Sequence, residues 1–136
     1  MEKQRSRKEI ACHYVENITS SALDTTILAD DFSVWTSTVG HIDGKPYVEG
    51  LDTARRVWKT PLKFKIELVL ERHNCVVVMA SSDGVLITDR KYGNDYLFVI
   101  DFDANDRIRY VREYFDTARI EALYRPAVRM LTAMQA

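Results

Sequence analysis

The sequence predicts an α+β domain in which an antiparallel sheet carries helices on one face. Three observations lead there: a helix-period apolar stripe near the start, a long period-2 alternation in the middle, and two strand runs joined by a turn before a capped final helix. With 136 residues, 46% of them apolar, the chain can close a core without disulfide staples, and one domain is expected.

Each element has its own justification. From Arg5 to Thr19 the apolar residues Ile10, Tyr14, Val15 and Ile18 fall on one face of a helix, with Cys12 and His13 off that stripe. Ser20 to Ala29 reads as a second short helix or turn that ends at Asp30 and Asp31. Phe32 to Thr38 is rich in Phe, Val, Trp and Thr and is bounded by Gly40, which favours a strand. Gly40 to Gly50, with Gly40, Gly44, Gly50, Pro46 and three charged residues, reads as an exposed loop. Asp52 then suits the cap of a helix running from Thr53 to about Lys59 and stopped by Pro61.

Leu62, Phe64, Ile66, Leu68 and Leu70 alternate with Lys63, Lys65, Glu67, Val69 and Glu71, the pattern of a strand with one wet face. Arg72, His73 and Asn74 turn the chain into a central strand, Cys75 to Ala80, and a break, either a turn or a bulge, is expected at Ser81 to Gly84. Tyr92 to Phe102 and Arg107 to Phe115 form a long hairpin about Asp103, Ala104, Asn105 and Asp106. Asp116 caps the final helix, which Pro126 should kink or break.

Consecutive strands pair as a meander, and the single-striped N-terminal helices cover one face of it. The other face, around Val76 to Ala80 and Leu97 to Val99, would stay apolar and wet, so a homodimer packed through the outer sheet face is expected. Nineteen Lys and Arg against 20 Asp and Glu give a net charge of −1, which argues against nucleic acid as a partner. No apolar run approaches the ~18 residues of a membrane span. Met1 to Lys8 is basic without an apolar core, and the two cysteines read as reduced thiols, so a cytoplasmic setting is expected. No metal-ligand spacing, phosphate loop or nucleophile elbow is present in the sequence, and no cofactor is expected.

Three strings carry a family resemblance: His13-Tyr14-Val15, the run from Ala29 through Asp30, Asp31, Phe32, Ser33 and Val34 to Trp35, and the pattern of Tyr92, Asn94, Tyr96, Arg112, Glu113, Tyr114, Phe115 and Asp116. With the order of elements, they resemble the nuclear-transport-factor-2-like superfamily, in its SnoaL-like, ketosteroid-isomerase-related branch. The resemblance covers nearly the whole chain. It implies a cone-shaped, strongly curved mixed or antiparallel sheet with the N-terminal helices on its concave side and a small hydrophobic molecule inside.

In ketosteroid isomerases a tyrosine of the first helix donates a hydrogen bond to the developing dienolate, and Tyr14 occupies the matching place. The isomerase's proton-shuttling aspartate is matched by Trp35, Thr36 and Ser37, none of them an acid, and its second oxyanion donor by Phe98. Limonene-epoxide hydrolase has a similar string to Val111 through Asp116, in which the first acid, here Glu113, is catalytic. Its Arg-x-Asp pair is matched by Met79 and Ser81, or by Ser81 and Asp83, and the arginine is missing.

Glu113 shares strand parity with Val111 and Phe115, so its carboxyl should face an otherwise apolar surface that raises its pKa. It is then either a general acid or base, or a structural glutamate paired with an arginine such as Arg90 or Arg112. Asn94 and Tyr96 share parity with Phe98 and could place a carbonyl oxygen or simply be wet at the strand's end. Tyr14 is a catalytic candidate or a core tyrosine. His41, in the expected loop near the mouth, is a further acid or base candidate. Trp35, Tyr47, Trp58, Phe98 and Phe115 are candidate substrate walls. The activity these residues suggest is acid/base chemistry of isomerase, cyclase or dehydratase type on a hydrophobic substrate. The alternative is a non-catalytic binding or assembly module.

Overall fold

The computed structural model describes residues 4–135; Met1 to Lys3 of the basic start lie outside it. Helix α1 spans Arg7–Asn17 and opens with a reciprocal cap. The Ser6 hydroxyl accepts from the Glu9 amide at 3.1 Å, and the Glu9 carboxylate accepts from the Ser6 amide at 3.3 Å. Its buried stripe is Ile10, Ala11, Tyr14 and Val15, the face that its spacing predicts.

A single sheet follows in the order β2-β1-β6-β5-β4-β3. Its strands are β1 (Leu28–Thr36), β2 (Gly40–Asp43), β3 (Trp58–Arg72), β4 (Cys75–Leu86), β5 (Lys91–Phe102) and β6 (Ile108–Phe115). From β3 to β6 it is the expected antiparallel meander. β1 then joins β6 in parallel and pairs antiparallel with β2, so the sheet is mixed. It is curved and open, with the helices on one side.

Several boundaries differ from the sequence reading. Of the short helix or turn expected at Ser20 to Ala29, the structure has a single turn, Thr25–Ile27, and β1 starts earlier than expected, at Leu28, carrying Asp30 and Asp31 outward within the strand. The expected loop at Gly40 to Gly50 holds β2 and most of helix α2, Gly44–Arg55. Gly40 turns the chain at φ 80, and Gly44 brings the helix against β1: a Cβ there would lie 2.1 Å from the Phe32 carbonyl oxygen. Asp52 therefore sits inside α2 and caps nothing. Pro61 lies within β3, where an edge strand has no neighbour to miss its N–H. The break expected at Ser81 to Gly84 is absent; β4 runs through it.

One correction bears on the sheet's two faces. The β3 register shifts between Ile66 and Leu68, and this bulge inverts the alternation. Leu62, Phe64 and Ile66 point to the core, but beyond the bulge Val69 takes that role and Leu68 and Leu70 are exposed.

The final helical segment begins at Asp116, whose carboxylate accepts from the Ala118 amide at 2.9 Å. After one turn, α3 (Thr117–Arg119), comes a π-helical turn at Ile120–Tyr124, then α4 (Arg125–Met134) with Pro126 in its first turn. The wide turn absorbs the proline that would otherwise interrupt the hydrogen-bond ladder. The core has two clusters. The larger joins α1 to the concave side of β4, β5 and β6, and the smaller gathers Val57, Leu62, Leu86 and Tyr92 under Ala127 and Leu131 of α4.

Candidate functional site

Between these clusters the concave face is not filled. A cavity of about 230 Å³ opens there, walled mainly by apolar and aromatic side chains, with Glu113 as its one acidic lining residue. The pairing that places Glu113 is definite. It lies opposite Phe98 on β5, which is fully buried, and beside Thr36 on β1, so its side chain shares the inward face with both.

The Glu113 carboxyl has no hydrogen-bond or ion-pair partner among the described residues. Glu113 is half-buried: it opens to the cavity on one side, and protein atoms crowd it on the others. The crowding governs its titration, because a charge in so apolar a recess is poorly hydrated. Desolvation pushes the pKa from the ordinary 4.5 up to about 7.

Around this acid stand five phenols. The Tyr14, Tyr47, Tyr92, Tyr96 and Tyr124 hydroxyls are all held above their ordinary pKa, each first by burial and with the Glu113 charge as a further cause. Tyr124 is pushed up to about 12. All remain protonated at neutral pH and serve as hydrogen-bond donors, not as bases.

Asn94 organises one side of this ring. Its Oδ1 accepts from the backbone amides of Asp95 at 2.9 Å and Asp116 at 3.1 Å, while its Nδ2 donates to the Asp116 carbonyl at 3.0 Å and the Tyr92 hydroxyl at 2.9 Å. Backbone amides can only donate and a carbonyl can only accept, so the orientation of the Asn94 amide is fixed by its partners. The Tyr92 oxygen must then be an acceptor from Asn94, and its own proton is left to point elsewhere. Tyr92 lines the cavity and interacts with Tyr96, whose hydroxyl is 3.0 Å from the Ser82 hydroxyl.

The remaining sequence candidates divide. Glu113, Tyr96, Tyr47, Trp58 and Phe115 line the cavity. Tyr14 is fully buried behind it and reaches it through Tyr47, to whose hydroxyl it donates at 3.3 Å. Asn94 is used up in the bonds just described, so it positions other groups and has no free atom for a substrate. Phe98 is sealed in the core, stacked 5.5 Å from Tyr96.

Trp35 and His41 are corrected. They pair with each other across β1 and β2, and Trp35 is also in register with Arg112, so both sit on the face opposite to Glu113. Trp35 packs on Tyr114, and His41 is exposed and bonded to Asp43 at 2.9 Å. Tyr92 was missed as a site residue, although its parity with Asn94 and Tyr96 was there to be read. Tyr124 also lines the cavity, from the π-helical turn. Among the described residues no three His, Cys, Asp or Glu side chains gather as a metal site would need.

Solved structures share this architecture. A candidate SnoaL-like polyketide cyclase from Jannaschia sp. CCS1 superposes with a TM-score of 0.68 at 12% identity, covering 88% of this chain and 95% of that one. A protein with a ketosteroid-isomerase-like fold from Catenulispora acidiphila, in complex with trimethylamine, gives 0.69 at 14% identity over 82% and 88%. The chain has the nuclear-transport-factor-2-like fold. A nuclear-transport-factor-2-like protein of unknown function from Cytophaga hutchinsonii agrees, with a TM-score of 0.64 at 16% identity over 79% and 93%. No protein-family model and no curated protein matches the sequence.

Proposed function

We propose that this single domain is a cofactor-independent enzyme that moves a proton on a small hydrophobic substrate, with Glu113 as the general acid or base. The observation that carries the reading is the unpaired Glu113 carboxyl in an apolar cavity, with its pKa raised to about 7. At that value both protonation states are populated near neutrality, which suits a group that must take and return a proton. Tyr92 and Tyr96 face the same space and offer donors to an oxygen on which negative charge develops, with Tyr47 across from them. Isomerisation, cyclisation and dehydration all use this arrangement: a proton leaves carbon for Glu113 and the electron pair moves toward an oxygen held by phenols. The proton then returns to the rearranged or ring-closed product or, in dehydration, leaves with the departing hydroxide as water.

Thr36 stands beside Glu113 where a second acid would be needed for a steroid shuttle, so turnover of a 5-ene-3-ketosteroid is expected to be negligible. The decisive variant is Glu113→Gln, which keeps the shape and removes the exchangeable proton. Solvent-deuterium incorporation into the substrate, followed by mass spectrometry, should fall about 100-fold or more. Undiminished exchange would place the proton transfer on another group, and no exchange by the unaltered protein would leave it as a binding module.

The partner reading is a homodimer. The convex face exposes Leu68, Leu70, Met79, Leu97 and Tyr114 as one patch across β3 to β6, and a second copy of the same patch would cover it. No described helix is long and apolar enough to cross a membrane. A cytoplasmic location fits the two free cysteines.

A further inference from the structure

A second cavity, of about 400 Å³, adjoins the first. Thr38, Val39, Ala54, Ile120 and Tyr124 line both, so the two share a wall built from the β1–β2 turn, α2 and the π-helical turn. Their chemistry differs. The first holds a lone acid among apolar groups, while the second has Arg125 and Arg129 and no acidic lining residue.

We propose that the second cavity receives the anionic end, a carboxylate or a phosphate monoester, of a substrate whose apolar body lies in the cavity of Glu113. The inference rests on the first cavity being the substrate site. Arg125 and Arg129 stand one helical turn apart and line the same space, a like-charge pair that an anion bound between them would stabilise. Glu121 compensates only Arg125, bonding its Nε at 2.5 Å; Arg129 has no ion pair among the described residues. From α2 the same cavity takes Gly50, Thr53 and Ala54. A guanidinium stays charged at any working pH and donates paired hydrogen bonds to carboxylate or phosphate oxygens.

The shared wall supplies the link. Val39 is 66% exposed on the turn between β1 and β2, an apolar residue at the rim of both cavities where an alkyl or ring segment would cross. The π-helical turn brings Ile120 and Tyr124 to the same rim, and such turns recur where a helix is shaped for a ligand. An acid group on the substrate would also be kept away from Glu113 by occupying the arginine side, so the proton chemistry and the charge recognition stay in separate compartments.

The test uses octanoate, octyl phosphate and the neutral octanol as probes, with binding read by calorimetry on the full chain and by the indole N–H resonance of Trp58, which lines the first cavity. Octanoate or octyl phosphate should bind at least about 10-fold more tightly than octanol at low salt, with the advantage shrinking as salt rises. The tighter of the two anions identifies the head group. The double variant Arg125→Gln, Arg129→Gln should lose the advantage while still binding octanol, which also shows that it folds. Equal binding of anion and alcohol, or an advantage that survives the double variant, overturns the proposal. Glu113→Gln should keep the preference for anions. A protein that prefers anions but shows an ordinary Glu113 titration would therefore contradict the proton-transfer reading and leave this one standing.

Discussion

On its concave face β6 presents Val111, Glu113 and Phe115, and on its convex face Tyr110, Arg112 and Tyr114. Glu113 and Arg112 are neighbours in sequence with opposite charges, yet strand alternation sends them to opposite sides of the sheet, so neither can neutralise the other. Inside, the isolated acid loses hydration and resists ionisation. Outside, the aromatic Trp35 and Tyr114 pack together beside Arg112, whose Nε is buried and unbonded. The difference teaches that one strand can present two environments: its inner residues line a cavity around a single acid, and its outer residues form part of an exposed apolar patch.

Separating the faces by mutation gives the largest effect first. Placing charges on the convex patch with Leu70→Asp and Leu97→Asp should convert the proposed dimer to a monomer; light scattering should move from twice 15.7 kDa to 15.7 kDa. A native protein already at the monomer mass would break that half of the comparison.

The concave side is probed by pH. Glu113 titrates at 4.5 when unfolded and at about 7 when folded, so the folded state holds the proton longer and stability must fall as pH rises between these values. The accumulated penalty is about 3 kcal/mol above pH 7. Glu113→Gln should remove it, giving a variant close to wild type in stability at pH 4 and more stable at pH 8 by up to that amount in urea unfolding. A variant less stable at pH 8 would mean that the carboxylate has a favourable partner.

Asn94→Ala should cost about 1–3 kcal/mol, since it strips partners from the Asp116 amide and carbonyl where β6 enters the final helix. Asp116→Asn should change stability by only a few tenths of a kcal/mol, because Asn caps a helix nearly as well.

Much of this was legible in the chain. The alternation through β5 and β6 placed Glu113, Tyr96 and Phe115 on the inner face without reference to any neighbour, and the α1 stripe gave Tyr14 its burial. What was not legible depended on pairing. The inward residue of β1 is Thr36 because its parallel register with β6 sets it beside Glu113, and no local pattern distinguishes Thr36 from Trp35. The β3 bulge leaves a perfect sequence alternation intact while turning Leu68 and Leu70 outward. Gly44 and Pro46 read as loop residues by propensity, yet Gly44 is required by the close approach of a helix to β1, and Pro46 is tolerated in that helix's first turn. The second cavity was invisible because its wall joins residues from 38 to 129 that share no motif.

The central claim is the charge state of one side chain. With 13C-labelled glutamate, the Glu113 carboxyl can be followed by NMR from pH 3 to 9 and assigned by its absence in Glu113→Gln. Desolvation in the cavity predicts a midpoint near 7, well apart from the exposed glutamates. A midpoint at or below 4.5 would show a hydrated or ion-paired carboxylate and contradict the assignment of Glu113 as the group that moves the proton.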